Sequence, residues 1–299
     1  MQTLAGAWAA CDSRGMNEGI ESASIRWLGD DDCHGDAVVG GKAASLSRLA
    51  ARYPVPAGFA IAAMSAAAEI APALASAIRA AYDELSRRTG TTDPPVAVRS
   101  SAIGEDGVGS SFAGQHDTYL NICGDDAVVD AVERCVRSGQ SSIATAYRDA
   151  RGLGGDDVQV AVLVQLLVDA DSAAVAFSAN PVTGSRAEIV INSNWGLGES
   201  IVSGLATPDM FVVDKATRAI AQRELGAKEE MTLRCEGGTV EVEPSLEQQQ
   251  SFSLTEAQVL AIADLALSLE VEHGRAVDVE CAIAGGELLL LQCRPITTL

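Results

Sequence analysis

The sequence has few prolines, few aromatic residues and no long apolar segment. Only 9 of its 299 residues are proline and 47% are hydrophobic, so global disorder is not expected. The N-terminal stretch MQTLAGAWAACDSRG lacks a charged segment before its short apolar run, which argues against a signal peptide. No segment has the roughly 18 consecutive apolar residues that a membrane helix requires. These absences predict a soluble cytoplasmic protein without a membrane partner.

The cysteines and histidines are too scattered to predict a disulfide framework or a metal centre. The number of cysteines, 7, is odd, and no two of them lie in C-x-x-C spacing. Cys281 and Cys293 occur in strand-like apolar runs and are interpreted as small buried hydrophobic residues. The histidines are far apart in the sequence and suggest no metal cluster: His34, His116 and His273.

Positive charge is scarce as well. The chain has 21 basic and 41 acidic residues, which gives a formal net charge of −20. Because phosphate backbones and anionic lipids attract clustered cations, this balance argues against general binding to nucleic acid or to membranes. The acidic excess is typical of a dispersed soluble protein, and it still allows a few well-placed cations to bind an anionic ligand.

The periodicity of the chain is mixed. Residues 1–22 show no clear period and are expected to be a loose tail. Beyond them, strand-like runs such as VQVAVLVQLLV alternate with helical stretches, one of which begins at Thr255 and Gln258 with the spacing of a capping box. This mixture predicts an α+β or α/β protein, and the length suits two lobes.

The most unusual stretch is VAVRSSAIGEDGVGSSFAGQHDTYLNI, residues 96–122. A short strand carries Arg99, and a loop follows that is rich in small residues, among them Gly107, Gly109, Ser110 and Ser111. Small residues let backbone N–H groups approach a phosphate, and arginine binds phosphate through two hydrogen bonds. The Walker pattern is absent, so a flexible connection is the alternative interpretation.

Two further polar residues lie beside glycines. Lys42 follows Gly40 and Gly41 at the predicted start of a helix. Because helix N-termini disfavour cations, either a bound anion or simple solvation explains a lysine there. Glu199, in the stretch NWGLGES, is a candidate to contact a cation or a ribose, or to cap a short helix.

The C-terminal stretch DVECAIAGGELLLLQCRPITTL predicts a hairpin with two possible loops. A two-residue turn at Gly285–Gly286 would pair position 280 with 291 and turn Gln292 away from the carboxylates. A three-residue loop, residues 284–286, would pair 280 with 290 and 278 with 292. It would place Leu291 on an apolar face. The other face would carry the polar groups together with one leucine: Asp278, Glu280, Leu290, Gln292 and Arg294. This sorting favours the three-residue loop.

The polar face has a composition that suits a metal and a phosphate. Mg²⁺ prefers carboxylate and amide oxygens together with substrate phosphates, and arginine neutralises phosphate. The alternative is a set of polar side chains that satisfy each other at the edge of a sheet.

Six motifs together resemble one family. In chain order they are VGGKAASLSRL, VPAGFAI, VRSSA..ED....SFAGQHDTYLNI, FSANPVTG, WGLGESIVSGLATPD and DVE...LQCRPIT. They are similar to the nucleotide-binding domain of phosphoenolpyruvate synthase, pyruvate phosphate dikinase and rifampin phosphotransferase. The resemblance covers about residues 24–299. It implies an α+β fold of the ATP-grasp type, with residues 23–185 and 186–299 as two lobes that enclose the nucleotide.

The resemblance also implies a reaction and a set of site residues. ATP would be cleaved to AMP and phosphate, and the β-phosphoryl group would pass to a histidine on a swivelling domain. Lys42, Arg99 and Arg294 would act on the phosphates, Glu280 and Gln292 would ligate Mg²⁺, and Asp278 would support the site. A loop over residues 104–115 would cover the nucleotide, with contacts from Gly107, Gly109, Ser110, Ser111 and Gln115.

No Thr-His motif follows RPIT in this sequence. We therefore expect the phosphohistidine on a separate domain or subunit, with a small molecule as the final acceptor. Two alternatives stay open. The first is an autonomous kinase or ligase that acts directly on a small molecule. The second is a nucleotide sensor that does not hydrolyse ATP.

Overall fold

The computed structural model describes residues 24–66, 69–103, 118–138 and 159–296, and its mixed helices and sheets confirm the α+β class. The helices are α1 (Asp36–Leu49), α2 (Pro72–Thr89), α3 (Asp125–Ser138), α4 (Glu199–Val202), α5 (Leu246–Gln249) and α6 (Glu256–His273). The strands are β1 (Ile25–Trp27), β2 (Gly58–Ser65), β3 (Val96–Ala102), β4 (Thr118–Ile122), β5 (Gln159–Leu166), β6 (Ser172–Phe177), β7 (Glu188–Trp195), β8 (Asp209–Asp214), β9 (Ala219–Glu224), β10 (Met231–Cys235), β11 (Gly238–Val242), β12 (Val277–Ala284) and β13 (Glu287–Pro295).

The strands form two larger sheets and one hairpin. The first sheet has five strands in the order β1-β2-β5-β3-β4, and the second has six in the order β13-β12-β6-β7-β8-β9. β10 and β11 form a two-stranded hairpin, and isolated bridges at Thr232 join it to Gly196 and Leu197. The chain leaves the first sheet at Leu166 and enters the second at Ser172. The sheets thus divide earlier than the lobe boundary expected at residues 185–186, and β6 is hydrogen-bonded to β7 across that position. Below, the first lobe means the described residues of 24–166, built on the first sheet, and the second lobe means residues 172–296, built on the second.

The first sheet has helices on both faces. Alternate residues of β3 point in opposite directions, because strand side chains have a period of two. Val96 and Val98 are buried in a core with α2 and α3, whereas Ala97 and Arg99 line a cavity on the other face. The side of the first sheet that carries α1 therefore also carries the cavity.

The second sheet is covered on one face by α6. Its helix residues are buried against β6, β7, β12 and β13, and they include Val259, Ile262, Ala266 and Leu269. The sequence-predicted capping box is confirmed, since the Thr255 side chain accepts from Gln258 N and Gly274 ends the helix in a left-handed conformation. Such a cap is worth about 1 kcal/mol. The opposite face of β6, with Ala173 and Val175, borders the cavity.

Helix α1 connects the two halves of the molecule. Its buried residues Leu46 and Leu49 belong to the same core as α6, and the helix also contacts β2, β3 and β5 of the first sheet. The Ser45 hydroxyl donates to the Cys293 carbonyl of β13 at 3.0 Å. Because α1 packs against both sheets, its position relative to the space between them is fixed.

A kink at Gly40 sets where α1 approaches β3. Gly40 has φ 76° and ψ 165°, and a Cβ atom there would lie 2.0 Å from the carbonyl oxygen of Ser101. Only glycine allows both the positive φ and this contact. The Ser101 hydroxyl accepts from Ala43 N at 3.2 Å, so the helix restarts after the kink with Lys42 in its first turn. The helix start predicted at Lys42 is therefore a restart after a kink, since α1 already begins at Asp36.

Among the helices of the described residues, none is long and apolar enough to cross a membrane.

Candidate functional site

A cavity of about 550 Å³ lies between the two sheets. Its polar lining residues are Lys42, Arg99, Ser100, Glu199, Glu280, Gln292 and Arg294, among others. Its apolar lining residues include Leu120, Leu166, Leu167, Val168, Ala173 and Leu197. The structure thus brings together five of the sequence-predicted site residues, from helix α1, strand β3 and the C-terminal hairpin.

Two cations enter the cavity from the first lobe. Lys42 comes from the first turn of α1 after the kink, and Arg99 comes from the middle of β3. Arg99 Nη1 donates to the Leu291 carbonyl oxygen at 3.4 Å, across the gap between the sheets. The side chain is thereby held against the hairpin of the other lobe.

Ser100 adds an unsatisfied hydroxyl to the same wall. It is 1% exposed, lines the cavity, and its Oγ has no hydrogen-bond partner within the described residues. A buried hydroxyl without a partner costs free energy that a bound polar ligand would recover. Sequence reasoning did not place Ser100 in the site. The only signal was its position in the polar cluster that ends the strand.

The C-terminal hairpin has a two-residue turn, so the predicted three-residue loop is wrong. Ala284 pairs with Glu287, and the turn residues Gly285 and Gly286 have φ 57° and 85°. Positive φ at both positions is what a type I′ turn requires, and its twist matches that of the paired strands. Because glycine adopts this geometry without strain, the preference for a two-residue turn outweighs the side-chain sorting that favoured the longer loop.

A β-bulge then restores the polar face. Cys281 pairs with Leu290 and the next pair is Glu280 with Gln292, which leaves Leu291 as an extra residue on β13. Asp278 consequently lies opposite Arg294. The predicted polar face is therefore present, but Leu291 takes the place on it that was expected for Leu290. Leu290 is fully buried in the core, and Leu291 lines the cavity, the reverse of the sequence-based expectation.

Asp278 and Arg294 form an ion pair at the edge of the cavity. Arg294 Nε and Nη2 contact the same carboxylate oxygen, Oδ2 of Asp278, at 2.8 and 2.7 Å. The other oxygen, Oδ1, is buried and has no partner within the described residues. Burial raises the pKa of Asp278 above its usual value, Arg294 opposes the shift, and Glu280 adds to it. The pair orients Arg294 and leaves one carboxylate oxygen unsatisfied.

The donor set fits a magnesium ion that also binds a ligand. Glu280 and Gln292 face each other across the strands on the cavity side, and the unsatisfied Oδ1 of Asp278 lies on the same face. Within the described ranges, no group of three or more His, Cys, Asp or Glu side chains is placed to hold a metal alone. Mg²⁺ commonly takes one or two carboxylates and completes its shell with water and phosphate oxygens.

Glu199 also faces the cavity, from α4. Its Oε2 accepts from Thr239 Oγ1 at 3.4 Å. The pKa of Glu199 is raised, mainly by burial, and the charge of Glu241 adds to the shift. The Thr239 hydrogen bond and the charge of Arg99 oppose it. This carboxylate lines the cavity and also lies in the first turn of α4, so the sequence interpretations as a ligand contact and as a helix cap both stay open.

The predicted contacts from the glycine-rich loop lie outside the described residues: Gly107, Gly109, Ser110, Ser111 and Gln115. The described ends of this segment flank the cavity. β3 carries Arg99 and Ser100 before it, and β4 begins after it at Thr118, which lines the cavity. His34 and His273 do not line the cavity, and His116 is not described.

The fold and cavity define an α+β protein with a cation-rich cleft between two sheets, and comparison with known proteins identifies its family. Residues 63–299 match the family described as pyruvate phosphate dikinase, AMP/ATP-binding domain. The chain belongs to this family, and the resemblance seen in the six motifs is confirmed.

Curated relatives agree with the family. The chain is 41% identical over 235 residues to a probable phosphoenolpyruvate synthase of Pyrococcus horikoshii, covering 76% of this chain and 29% of the relative. It is 35% identical over 316 residues to one of Archaeoglobus fulgidus, covering 92% and 42%. A third relative, the prodigiosin synthesizing transferase of Serratia marcescens, is 42% identical over 204 residues, covering 68% and 23%. The chain spans less than half the length of these relatives.

Proposed function

We propose that this chain binds Mg²⁺ and ATP in the cleft and acts as the ATP-cleaving component of a dikinase-type phosphotransferase. The observation that carries the proposal is the convergence of Lys42, Arg99 and Arg294 with the Glu280–Gln292 pair on one cavity. Membership of an AMP/ATP-binding domain family supports the nucleotide. Two sheets with a ligand-sized cavity between them are consistent with the ATP-grasp arrangement that the resemblance implies.

The volume and the lining of the cavity suit a nucleotide bound in one orientation. Its volume, about 550 Å³, lies within the usual range of roughly 300–1,000 Å³ for ligand pockets. We assign the base to the aliphatic part of the lining, which includes Leu120, Leu197 and the segment 166–168. The phosphates then extend toward the three cations and the C-terminal hairpin.

The chain's own residues supply positioning and charge neutralisation. Lys42 and Arg99 bind phosphate oxygens from the first lobe, and Arg294 binds them from the second, held in place by Asp278. Glu280 and Gln292 hold the Mg²⁺, which when bound neutralises charge on the phosphates. The Ser100 hydroxyl donates to the ligand and so gains a partner that it lacks within the described residues. Phosphoryl transfer depends mainly on such placement and electrostatics.

The proposed overall reaction consumes ATP and water and phosphorylates a histidine, giving AMP and inorganic phosphate. We assign the phosphorylated histidine to a separate domain or subunit, because none of His34, His116 and His273 follows a threonine, and the two described ones, His34 and His273, do not line the cavity. Relatives with similar nucleotide domains are named for different products, a phosphoenolpyruvate synthase and a prodigiosin transferase. The small-molecule acceptor is accordingly chosen by other parts, and a cytoplasmic location stays a prediction.

Positionally labelled ATP tests the reaction. The chain is incubated with Mg²⁺, candidate partner domains that carry a Thr-His motif, and ATP labelled on either the β- or the γ-phosphate. We expect the β-label on the partner as an acid-labile phosphohistidine, and the γ-label in inorganic phosphate. Formation of ADP with the γ-label on the acceptor would instead identify a simple kinase. ATP turnover with a small molecule and no second protein would support an autonomous enzyme.

A further inference from the structure

The hairpin β10–β11 makes contacts with both lobes. Its base is anchored to the second lobe, where Leu197 N donates to the Thr232 carbonyl at 2.8 Å and the Asn194 amide donates to the Glu230 carbonyl at 2.8 Å. Asn194 is fully buried. The hairpin therefore has a fixed root on β7 and the segment that follows it.

The tip of the hairpin is held by one residue of the first lobe, Asn121 at the end of β4. The Asn121 Nδ2 group donates to the carbonyl oxygens of Cys235 and Gly238 at 2.6 and 2.7 Å. Its Oδ1 accepts from Arg234 Nε at 3.2 Å. The residue is 6% exposed and uses both ends of its amide on the hairpin turn.

The backbone of Asn121 is adapted to this contact. Its φ is 57°, in the left-handed region that asparagine tolerates better than other non-glycine residues. A strained conformation whose side chain makes three hydrogen bonds to a distant segment indicates a built contact. Arg234 also approaches Asp169 at 3.6 Å, and Asp169 lies in the connection between the two sheets.

The elements joined by this hairpin are walls of the cavity. β4, which carries Asn121, contributes Thr118 and Leu120 to the lining. On the hairpin itself, Thr239 donates to Glu199, another lining residue, at 3.4 Å. Movement of the hairpin tip away from β4 would thus change both the spacing of the lobes and the hydrogen bond to Glu199.

We propose that the β10–β11 hairpin is a latch between the lobes, and that Asn121 is the positioning residue that closes it. The latch sets the width of the cleft and holds Thr239 against Glu199. Its effect on ATP affinity rests on the proposed function, whereas the attachment of the hairpin to the first lobe does not.

Two substitutions of Asn121 test the latch, with a matched control. Asn121→Gly keeps the positive φ and removes all three hydrogen bonds. Asn121→Asp keeps the side-chain volume and removes the donors to the two carbonyls. Asp93→Gly is the control, because Asp93 is exposed and also has a positive φ, 47°, away from the hairpin. Backbone hydrogen exchange across residues 231–242 is compared in all four proteins, and ATP binding is measured by calorimetry.

Both Asn121 variants should exchange faster than wild type across the hairpin. They should bind ATP about tenfold more weakly, because closing an unlatched cleft on binding would cost about the net energy of one hydrogen bond. Asp93→Gly should match wild type in both measurements. Equal hairpin exchange in wild type and both Asn121 variants would overturn the latch. If wild type itself binds no ATP, the proposed function fails, and the exchange comparison still decides the latch.

Discussion

Two ion pairs in the second lobe differ in how completely they are satisfied. Asp209 and Lys228 are both fully buried and lie 2.7 Å apart. Both Asp209 oxygens are used, since Oδ1 accepts from Gly226 N and Lys228, and Oδ2 accepts from the amide and hydroxyl of Ser253. Asp278, paired with Arg294, leaves Oδ1 without a partner in the described part of the chain.

The difference separates a structural pair from a binding pair. A buried charge is tolerated when its hydrogen bonds are complete, as around Asp209. Lys228 also donates to the Gly226 carbonyl at 3.0 Å, so the network joins β8, the loop before β10 and the segment before α6. Asp278 lies instead on the wall that carries Glu280, Gln292 and Arg294. An incomplete pair in that place is suited to take a further partner.

Breaking the complete pair should have the largest effect. Lys228→Met would leave Asp209 buried without its cation and should lower the free energy of unfolding by about 3–5 kcal/mol. Urea unfolding followed by circular dichroism measures this. Arg223→Met, which breaks the exposed pair with Glu256, should cost less than about 1 kcal/mol. A similar small loss from Lys228→Met would contradict the structural role.

A change at Glu280 should affect activity and leave folding largely intact. Glu280→Ala should reduce phosphoryl transfer from ATP by roughly 10²- to 10³-fold, because it removes a carboxylate proposed to hold the Mg²⁺ that neutralises the phosphates. Glu287→Ala, at the exposed start of the same hairpin, is the matched control. Transfer of β-label to the partner domain is the measurement, and unchanged turnover in Glu280→Ala would refute the site.

The pH dependence of stability should reveal the desolvated carboxyl group. Because the pKa of Asp278 is raised above 3.8 in the folded state, its stabilising contribution is complete below about pH 3.8 and is lost as the pH rises through the folded pKa. The unfolding free energy of wild type relative to Asp278→Asn should therefore fall with increasing pH in that window, then level off. A difference that grows with pH would mean that Arg294 outweighs the burial.

The smallest expected effect concerns the turn that connects the two polar strands. Gly285→Asn would create Asn-Gly, the sequence preferred by a type I′ turn, at a position with φ 57° and no atom within 4 Å of the added Cβ. We expect about 0.4–1 kcal/mol of stabilisation from the less flexible unfolded chain. Thermal unfolding measures it, and destabilisation would argue against a two-residue turn.

Much of the site was predictable because its motifs are local. Lys42 after two glycines, Arg99 at a strand, and the alternating Asp278 and Glu280 each carry their chemistry in adjacent positions, and the family resemblance ordered them. The capping box of α6 is equally local. Three features were not predictable from local spacing: the bulge at Leu291, the contacts of Asn121 and the Ser100 hydroxyl, which has no partner within the described residues. Asn121 bonds to Cys235 and Arg99 to Leu291, each more than a hundred residues away, and the Ser100 hydroxyl depends on how the strands pack.

By itself, the sequence determined the family, the mixed helix and strand content, and the residue types that can bind phosphate and magnesium. Only the tertiary structure decided which leucine faces the cavity, since that depends on how β12 and β13 are buried between α6 and α1. It also decided which ion pair is complete. Local spacing fixes the order of side chains along a strand. Packing against other elements decides where a strand bulges, and which carboxylate oxygen is left without a partner among the described residues.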